Sequence, residues 1–351
     1  MRFPEFTDKW KKGYFKDVCK ITTGNKNTQD KDENGLYPFY VRSQNIERIN
    51  SWTFDGEAIL TAGDGVGVGK VFHYSIGKIG VHQRVYILSD FKCDGKYLYQ
   101  YFSSRFYNRV KRMSAKNSVD SVRMEMIADM PLYLPSVGEQ HKIGKLLALL
   151  DERISTQNKI IEDLKKLKSA ITDLLFHSIA DAHTIRLGEI AHITNGAGDV
   201  QDANTEHQKD WYPFFDRSEE LKWFPTYSFD KEAVIYAGEG QSFYPRYYNG
   251  KFALHQRCYA ITDFASCIIP KYCYHFMNTL NSYFVRNSVG STVPSLRMDI
   301  FQKVEIRLPP IPKQQHICKI IDAFYTKLEV EQRGISILQE LKQFLLSQMF
   351  I

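Results

Sequence analysis

Two stretches of the chain, Leu146 to Phe176 and Ile320 to Phe350, step their apolar residues by three, four and seven and contain no proline. That is the pattern of long helices that pair along one face. Ile154, Ile161, Leu164, Ile171 and Leu175 form the first stripe, and Leu328, Ile335, Leu338, Leu345 and Met349 the second. The registers coincide on a shift of 174 residues (328 − 154), and both stripes carry a polar break, at Lys168 and Lys342. Pairing of the two helices with each other is the simplest reading. Two amphipathic helices, each lying on its own domain, is the other. Gly334 inside the second stretch costs a helix roughly 1 kcal/mol, which pairing would offset.

Upstream of each helix the pattern changes. Short apolar runs such as Glu57 to Leu60 and Val81 to Leu88 are bounded by Gly and Asp and read as strands. Tyr97 to Met113 and Pro270 to Val285 carry aromatic residues at helical spacing. An α+β globular domain with a twisted, mostly antiparallel sheet is expected, once before each helix.

The two halves are copies. TFDGEAILTAGDG from Thr53 matches SFDKEAVIYAGEG from Ser228, HQRVYILSD from His82 matches HQRCYAITD from His255, and YPFYVRS from Tyr37 matches YPFFDRS from Tyr212. SVRM at Ser121 matches SLRM at Ser295, and LPSVGEQHKI from Leu134 matches LPPIPKQQHI from Leu308. The order is collinear, and the period is far longer than a solenoid repeat, so this is a domain duplication. The expected layout is domain 1 over residues 1–138, helix 1 over 139–180, domain 2 over 181–312 and helix 2 over 313–351. A helix of about 26 residues is about 39 Å long. Antiparallel pairing of such helices in a direct repeat would place the domains at opposite ends about a pseudo-twofold axis. One turn of B-DNA is about 34 Å, so two domains so held match one face of a duplex.

Composition narrows the class. The chain has 351 residues, 43% hydrophobic and 25% charged, with a formal net charge of +6. This permits an anionic partner without requiring one. Met1 to Lys12 does not read as a secretory signal. No apolar run approaches the roughly 20 residues of a membrane span, so no membrane association is expected. Six cysteines without a C-x-x-C pair fit free thiols in a reducing cytoplasm.

Catalytic patterns are largely missing. AGDGVGVGK (Ala62 to Lys70) fails the phosphate-loop spacing, with Asp64 where Gly is needed and Val71 in place of Ser or Thr. It reads as a Gly-rich turn between strands. No zinc spacing, G-x-S-x-G elbow or adenine-methyltransferase N-P-P-[YF] motif is found. Asp94-Gly-Lys96 and Asp163-Leu-Lys165 have a nuclease-like D-x-K form that is common by chance. No catalytic residue, metal or cofactor is assigned.

Candidate DNA-contact residues come from the doubled polar motifs. They are the turns Gly63, Asp64, Gly65 and Gly238, Glu239, Gly240; the triplets His82, Gln83, Arg84 and His255, Gln256, Arg257, read as strand; and the segments Lys116, Asn117, Ser118, Ser121, Arg123 and Ser291, Ser295, Arg297. Arg bonds guanine or phosphate, and Gln bonds adenine edges. The same His and Gln would serve as well to satisfy loop backbone, and the Ser and Asn residues to cap a helix. Arg105, Arg109, Lys111 and Arg112 crowd one helix, where a solvated face explains them.

The ordered set, written twice, resembles the specificity (S) subunit of Type I restriction-modification systems. The segments that carry the likeness are Gly13 to Gly24 and Ile185 to Gly196, the AGDG and AGEG turns, the two HQR triplets, and L-P-x-x-x-x-Q with Gln140 and Gln314 before each helix. The resemblance implies two target-recognition domains, each reading one half of a bipartite site in double-stranded DNA. It implies no chemistry in the subunit itself. The paired helices would act as a ruler and as the dock for two methyltransferase (M) subunits, through which nuclease (R) subunits join. Asn25 to Leu36 and Gly198 to Trp211 differ between copies, as do Val66 to Ile76 and Gln241 to Asn249. These loops are where different half-sites would be read. A coiled-coil adaptor that touches no DNA, and an enzyme with an unrecognised site, are the competing classes.

Overall fold

The computed structural model describes residues 2–65, 67–113, 121–179, 181–290 and 292–350. Among these, the first copy contains β1 (Lys11–Tyr14), α1 (Phe15–Val18), β2 (Lys20–Thr23), β3 (Tyr37–Tyr40), β4 (Ile46–Ile49), β5 (Phe54–Ala62), β6 (Phe72–Val81), β7 (Val85–Ser89), α2 (Gly95–Met113), α3 (Met124–Ala128), β8 (Pro131–Leu134) and the long α4 (Val137–His177). The second repeats it with β9 (His183–Arg186), α5 (Leu187–Ile190), β10 (His192–Asn195), β11 (Tyr212–Phe215), β12 (Lys222–Phe224), β13 (Phe229–Ala237), β14 (Arg246–Leu254), β15 (Cys258–Thr262), α6 (Pro270–Met277), α7 (Asn281–Asn287), α8 (Met298–Gln302), β16 (Glu305–Leu308) and the long α9 (Ile311–Met349).

The sheets share one topology. Their orders are β2-β7-β5-β6-β3-β4 and β10-β15-β13-β14-β11-β12. Every pairing is antiparallel except β3 with β6 and β11 with β14. Strand residues alternate between two faces. Ile59 of β5 enters the core under α2, while Ala58 and Leu60 enter a smaller core on the other face with Tyr40, Ile79, Val81 and Ile87. The single helix expected over Pro270 to Val285 is two, α6 and α7, separated by Asn278 to Leu280.

The chain divides into two compact units, Met1–Lys159 with Arg333–Ile351, and Ile160–Gln332. Each therefore holds a domain and part of both long helices. In the first unit, Ile143 and Leu147 of α4 share a core with Met349 of α9 and the following Phe350, and Lys342 pairs with Asp151. In the second, Phe176 of α4 shares a core with Ile317 and Ile321 of α9, and Lys168 stands over Tyr325. The helices run antiparallel in both. Ile161, Leu328 and Met349 are buried, and Ile154, Leu164, Ile171, Leu175, Ile335, Leu338 and Leu345 are half-buried. The helices start earlier than their heptads, at Val137 and Ile311, because their first turns belong to the domain cores. Gln140 is buried there, accepting from Asp94 N at 3.0 Å and donating to Pro135 O at 2.8 Å. Gln314 does the same work with Ile269 N at 2.9 Å and Pro309 O at 2.9 Å. No helix among the described residues is long and apolar enough to cross a membrane.

Candidate nucleic-acid interface

Three of the doubled motifs meet at one place in each domain. The HQR triplet is not strand but a tight turn, joining β6 to β7 and β14 to β15. Val85 N bonds His82 O at 2.9 Å, and Cys258 N bonds His255 O at 2.9 Å. The misreading has a physical reason: apolar strands flank the triplet directly, and it contains none of the Gly, Pro or Asn that mark turns. The glycine-containing turn closes over this one. Gly63 N donates to Arg84 O at 2.8 Å, and Gly238 N to Arg257 O at 2.9 Å. A Cβ on Gly63 would lie 3.0 Å from Arg84 O, and one on Gly238 would lie 2.3 Å from Arg257 O. These glycines admit the neighbouring turn.

The S-x-R-M segment forms the third side. Val122 N donates to Gly63 O at 2.7 Å, and Leu296 N to Gly238 O at 2.7 Å. Ser121 pairs through its backbone with Asp64, and Ser295 with Glu239. Tyr86 donates its hydroxyl proton to Val122 O at 3.0 Å, and Tyr259 to Leu296 O at 3.0 Å. The helix-capping reading of this segment gives way here. The N-caps of α3 and α8 are Arg123 and Arg297, and neither side chain caps. Both arginines are exposed. Lys116, Asn117, Ser118 and Ser291 lie outside the described residues.

The assembled charges form a doubled cluster. Asp64 bonds Arg42 and Arg84 at once, each at 2.9 Å. Glu239 bonds Arg257 at 2.7 Å and stands 3.7 Å from Arg217. The Arg84 and Arg257 side chains remain 63% and 65% exposed, against 20% and 19% for the acids. The guanidiniums thus face solvent while the carboxylates lie beneath them. Arg42 and Arg217 are absent from the residues singled out by sequence. Both sit in a matched string, YPFYVRS and YPFFDRS, which reads as framework; only folding brings them to the acid.

His82 and Gln83 separate into two roles. His82 is 5% exposed, and its Nδ1 accepts from Arg84 N at 3.0 Å. Burial, with Arg42 nearby, holds its pKa below the ordinary histidine value. It is a neutral strut of the turn and not a surface donor. His255, half-buried, makes the same bond at 3.2 Å. Gln83 and Gln256 are exposed at the turn tips. Gln83 N bonds Lys26 O at 2.8 Å, and Gln256 N bonds Gly198 O at 3.1 Å. Lys26 and Gly198 open the first divergent loop of each copy, so the shared cluster is tied directly to a segment that differs. The second pair of divergent segments runs into β6 and β14.

The residues beneath the two clusters also differ. In the second domain a cleft of about 310 Å³ is lined by Val200, Asp216, Arg217, Glu239, His255, Gln256 and Arg257. Asp216, 4% exposed, bonds Lys222 Nζ and Ser218 Oγ, both at 2.6 Å. Burial by itself would raise its pKa, but these bonds hold it below the ordinary carboxylate value. The first domain has Val41 at the matching position.

Comparison with known proteins agrees with the doubled architecture. Residues 7–166 and 180–343 each match the Type I restriction modification DNA specificity domain. The chain is 27% identical over 166 residues to the Type I restriction enzyme EcoDI specificity subunit of Escherichia coli, a match covering 46% of this chain and 36% of that protein. It is 21% identical over 336 residues to a putative type I restriction enzyme specificity subunit of Haemophilus influenzae, covering 88% of this chain and 85% of that one. In fold it is similar to the crystal structure of the Type I restriction-modification S subunit of M. genitalium, with a TM-score of 0.75 at 16% identity over 99% of this chain and 97% of that one. With both copies matched, the chain belongs to the Type I restriction-modification DNA specificity family, as a DNA-recognition subunit with two specificity domains.

Proposed function

We propose that each domain reads one half of a bipartite, asymmetric site in double-stranded DNA. In this reading the exposed arginines of each cluster meet the duplex at base edges as well as at phosphates, and the adjoining divergent loop makes the two half-sites differ. The helix pair sets the half-site spacing and docks two methyltransferase subunits, through which nuclease subunits join. The chain itself contributes recognition and no catalytic step.

One observation carries this reading. The same arginine–carboxylate–arginine cluster, with an exposed third arginine beside it, is built in both domains and tied each time to a different loop. Phosphate contacts position a protein on DNA, and base contacts specify the sequence. A common cluster with unlike neighbours provides both kinds of contact in each domain, with the loops supplying the differences between half-sites. An adaptor that never touched DNA would need the ion pairs for folding alone and would not call for the exposed guanidiniums.

A gel-shift assay on duplexes of random sequence tests this, using the full chain alone and with its methyltransferase subunits. Binding that weakens steeply between about 50 and 200 mM salt is expected. Absence of salt-sensitive binding in both formats contradicts the proposal.

A further inference from the structure

The acid in each cluster is out of place on a surface meant for DNA, since a carboxylate repels phosphate. Both copies nonetheless carry one, Asp64 in the first and Glu239 in the second. Each is four-fifths buried beneath arginines that are largely exposed. The backbone of each is held by pairing with Ser121 or Ser295, and both oxygens of each carboxylate face an arginine. The acid therefore cannot swing aside easily, and the guanidinium it holds is oriented by it. Arg84 meets Asp64 through one terminal nitrogen, Nη1, and Arg257 meets Glu239 the same way. A guanidinium carries five N–H donors in a rigid fork, so the donors outside this contact keep a fixed direction into solvent.

We infer that Asp64 and Glu239 are positioning residues that set half-site specificity: each orients its arginine toward a base edge and penalises that arginine's collapse onto a phosphate. This rests on the DNA-reading assignment above. A free arginine on DNA satisfies itself on the nearest phosphate, which carries no sequence information. An arginine tied from behind by a carboxylate gives up part of that attraction and keeps the geometry that a bidentate contact to guanine requires. The side chains differ by one methylene, yet both reach the same arginine, at 2.9 Å in the first domain and 2.7 Å in the second. Glu in place of Asp is therefore a conservative change already present in the molecule.

The test uses the full chain with its methyltransferase subunits, carrying Asp64→Asn, Asp64→Glu or Glu239→Gln. Sites are selected from a random duplex pool, and affinity for an unrelated duplex is followed against salt. Asp64→Asn is expected to flatten base preference in one half-site and leave the other as in the wild type. It should also tighten binding to the unrelated duplex and steepen the log–log salt slope by about 0.9, as one more phosphate is neutralised. Glu239→Gln should do the same to the other half-site, and Asp64→Glu should retain wild-type selectivity. A purely structural role would instead lower binding to all duplexes together. That result, or unchanged half-sites in Asp64→Asn, overturns the inference while leaving the DNA-reading assignment intact. Failure of the wild type to bind any duplex overturns both.

Discussion

The ammonium of Lys168 lies 4.0 Å from the centroid of the Tyr325 ring. The matching residues of the other copy are Lys342 and Asp151, and they form an ion pair. The two lysines are the shared polar break in the apolar stripes, and each meets the position where the opposite helix offers a partner. One copy supplies a ring face and the other a carboxylate. Asp151 also accepts from the buried Gln100 amide at 2.6 Å. Asp151→Ala strands both donors and should cost about 1–3 kcal/mol. Tyr325→Phe keeps the ring face, loses only the hydroxyl's contacts such as the long bond from Asn278 at 3.4 Å, and should cost less than Asp151→Ala. Thermal unfolding of the two variants reads the difference, and equal shifts would refute the assignment.

Each domain is closed by an aromatic plug at the end of a long helix. Phe350 packs edge-on against Tyr97 and Tyr101, at 5.4 Å from each. Phe176 packs the same way against Tyr272 at 5.5 Å and Phe276 at 5.4 Å. The helix that follows the second domain thus completes the first, and the helix that follows the first completes the second. Phe350→Ala or Phe176→Ala should cost about 3–5 kcal/mol, measured by denaturant unfolding. A loss below about 1 kcal/mol would show that the plugs do not hold the cores.

The two glycine turns should not tolerate alanine equally. Gly238→Ala meets a backbone oxygen at 2.3 Å, where Gly63→Ala meets one at 3.0 Å. Overpacking typically costs about 1–3 kcal/mol. The Gly238 variant is expected at or above the top of that range and the Gly63 variant near the bottom. Comparison of their melting temperatures checks the order.

Acid should weaken the second domain through His275. It is 2% exposed, and burial holds its pKa below the ordinary histidine value, against the pull of Asp322 at 2.9 Å. Lys271 and Lys168 also press that pKa down. The unfolded chain therefore takes up this proton first, from about pH 6.5 downward. Stability is full above that pH and falls as pH drops toward the folded value, by at most about 1.4 kcal/mol per pH unit. His275→Gln should flatten this limb between pH 7 and 5. An unchanged slope in that variant would assign the loss to other groups.

Much of the fold is legible in the sequence, because duplication prints each element twice. The strings around Ala58, His82 and Leu134 recur in order, and the heptads at Ile161 and Ile335 fix the helices. The heptads alone do not reach the first turns of the helices: Gly138 and Gly144 weaken local propensity in the first, and the clamps of Gln140 and Gln314 to distant backbone hold those turns. The site is legible in part. Arg84 and Arg257 stand out because the triplet is repeated. Arg42 and Arg217 do not, since nothing local distinguishes an arginine at a strand end from one that folding carries to an acid 22 residues away (64 − 42). His82 is misplaced for the same reason, because burial under a turn leaves no mark on a triplet.

The central claim is that each domain reads its own half of the site through its own cluster. Determining the bound sequence for Arg84→Ala and Arg257→Ala, beside the wild type, tests it most directly. Each substitution is expected to relax one half-site, at a cost of about 1–3 kcal/mol there, and to leave the other half and the spacing between them unchanged. If either substitution alters both halves, or neither alters any, the account is contradicted.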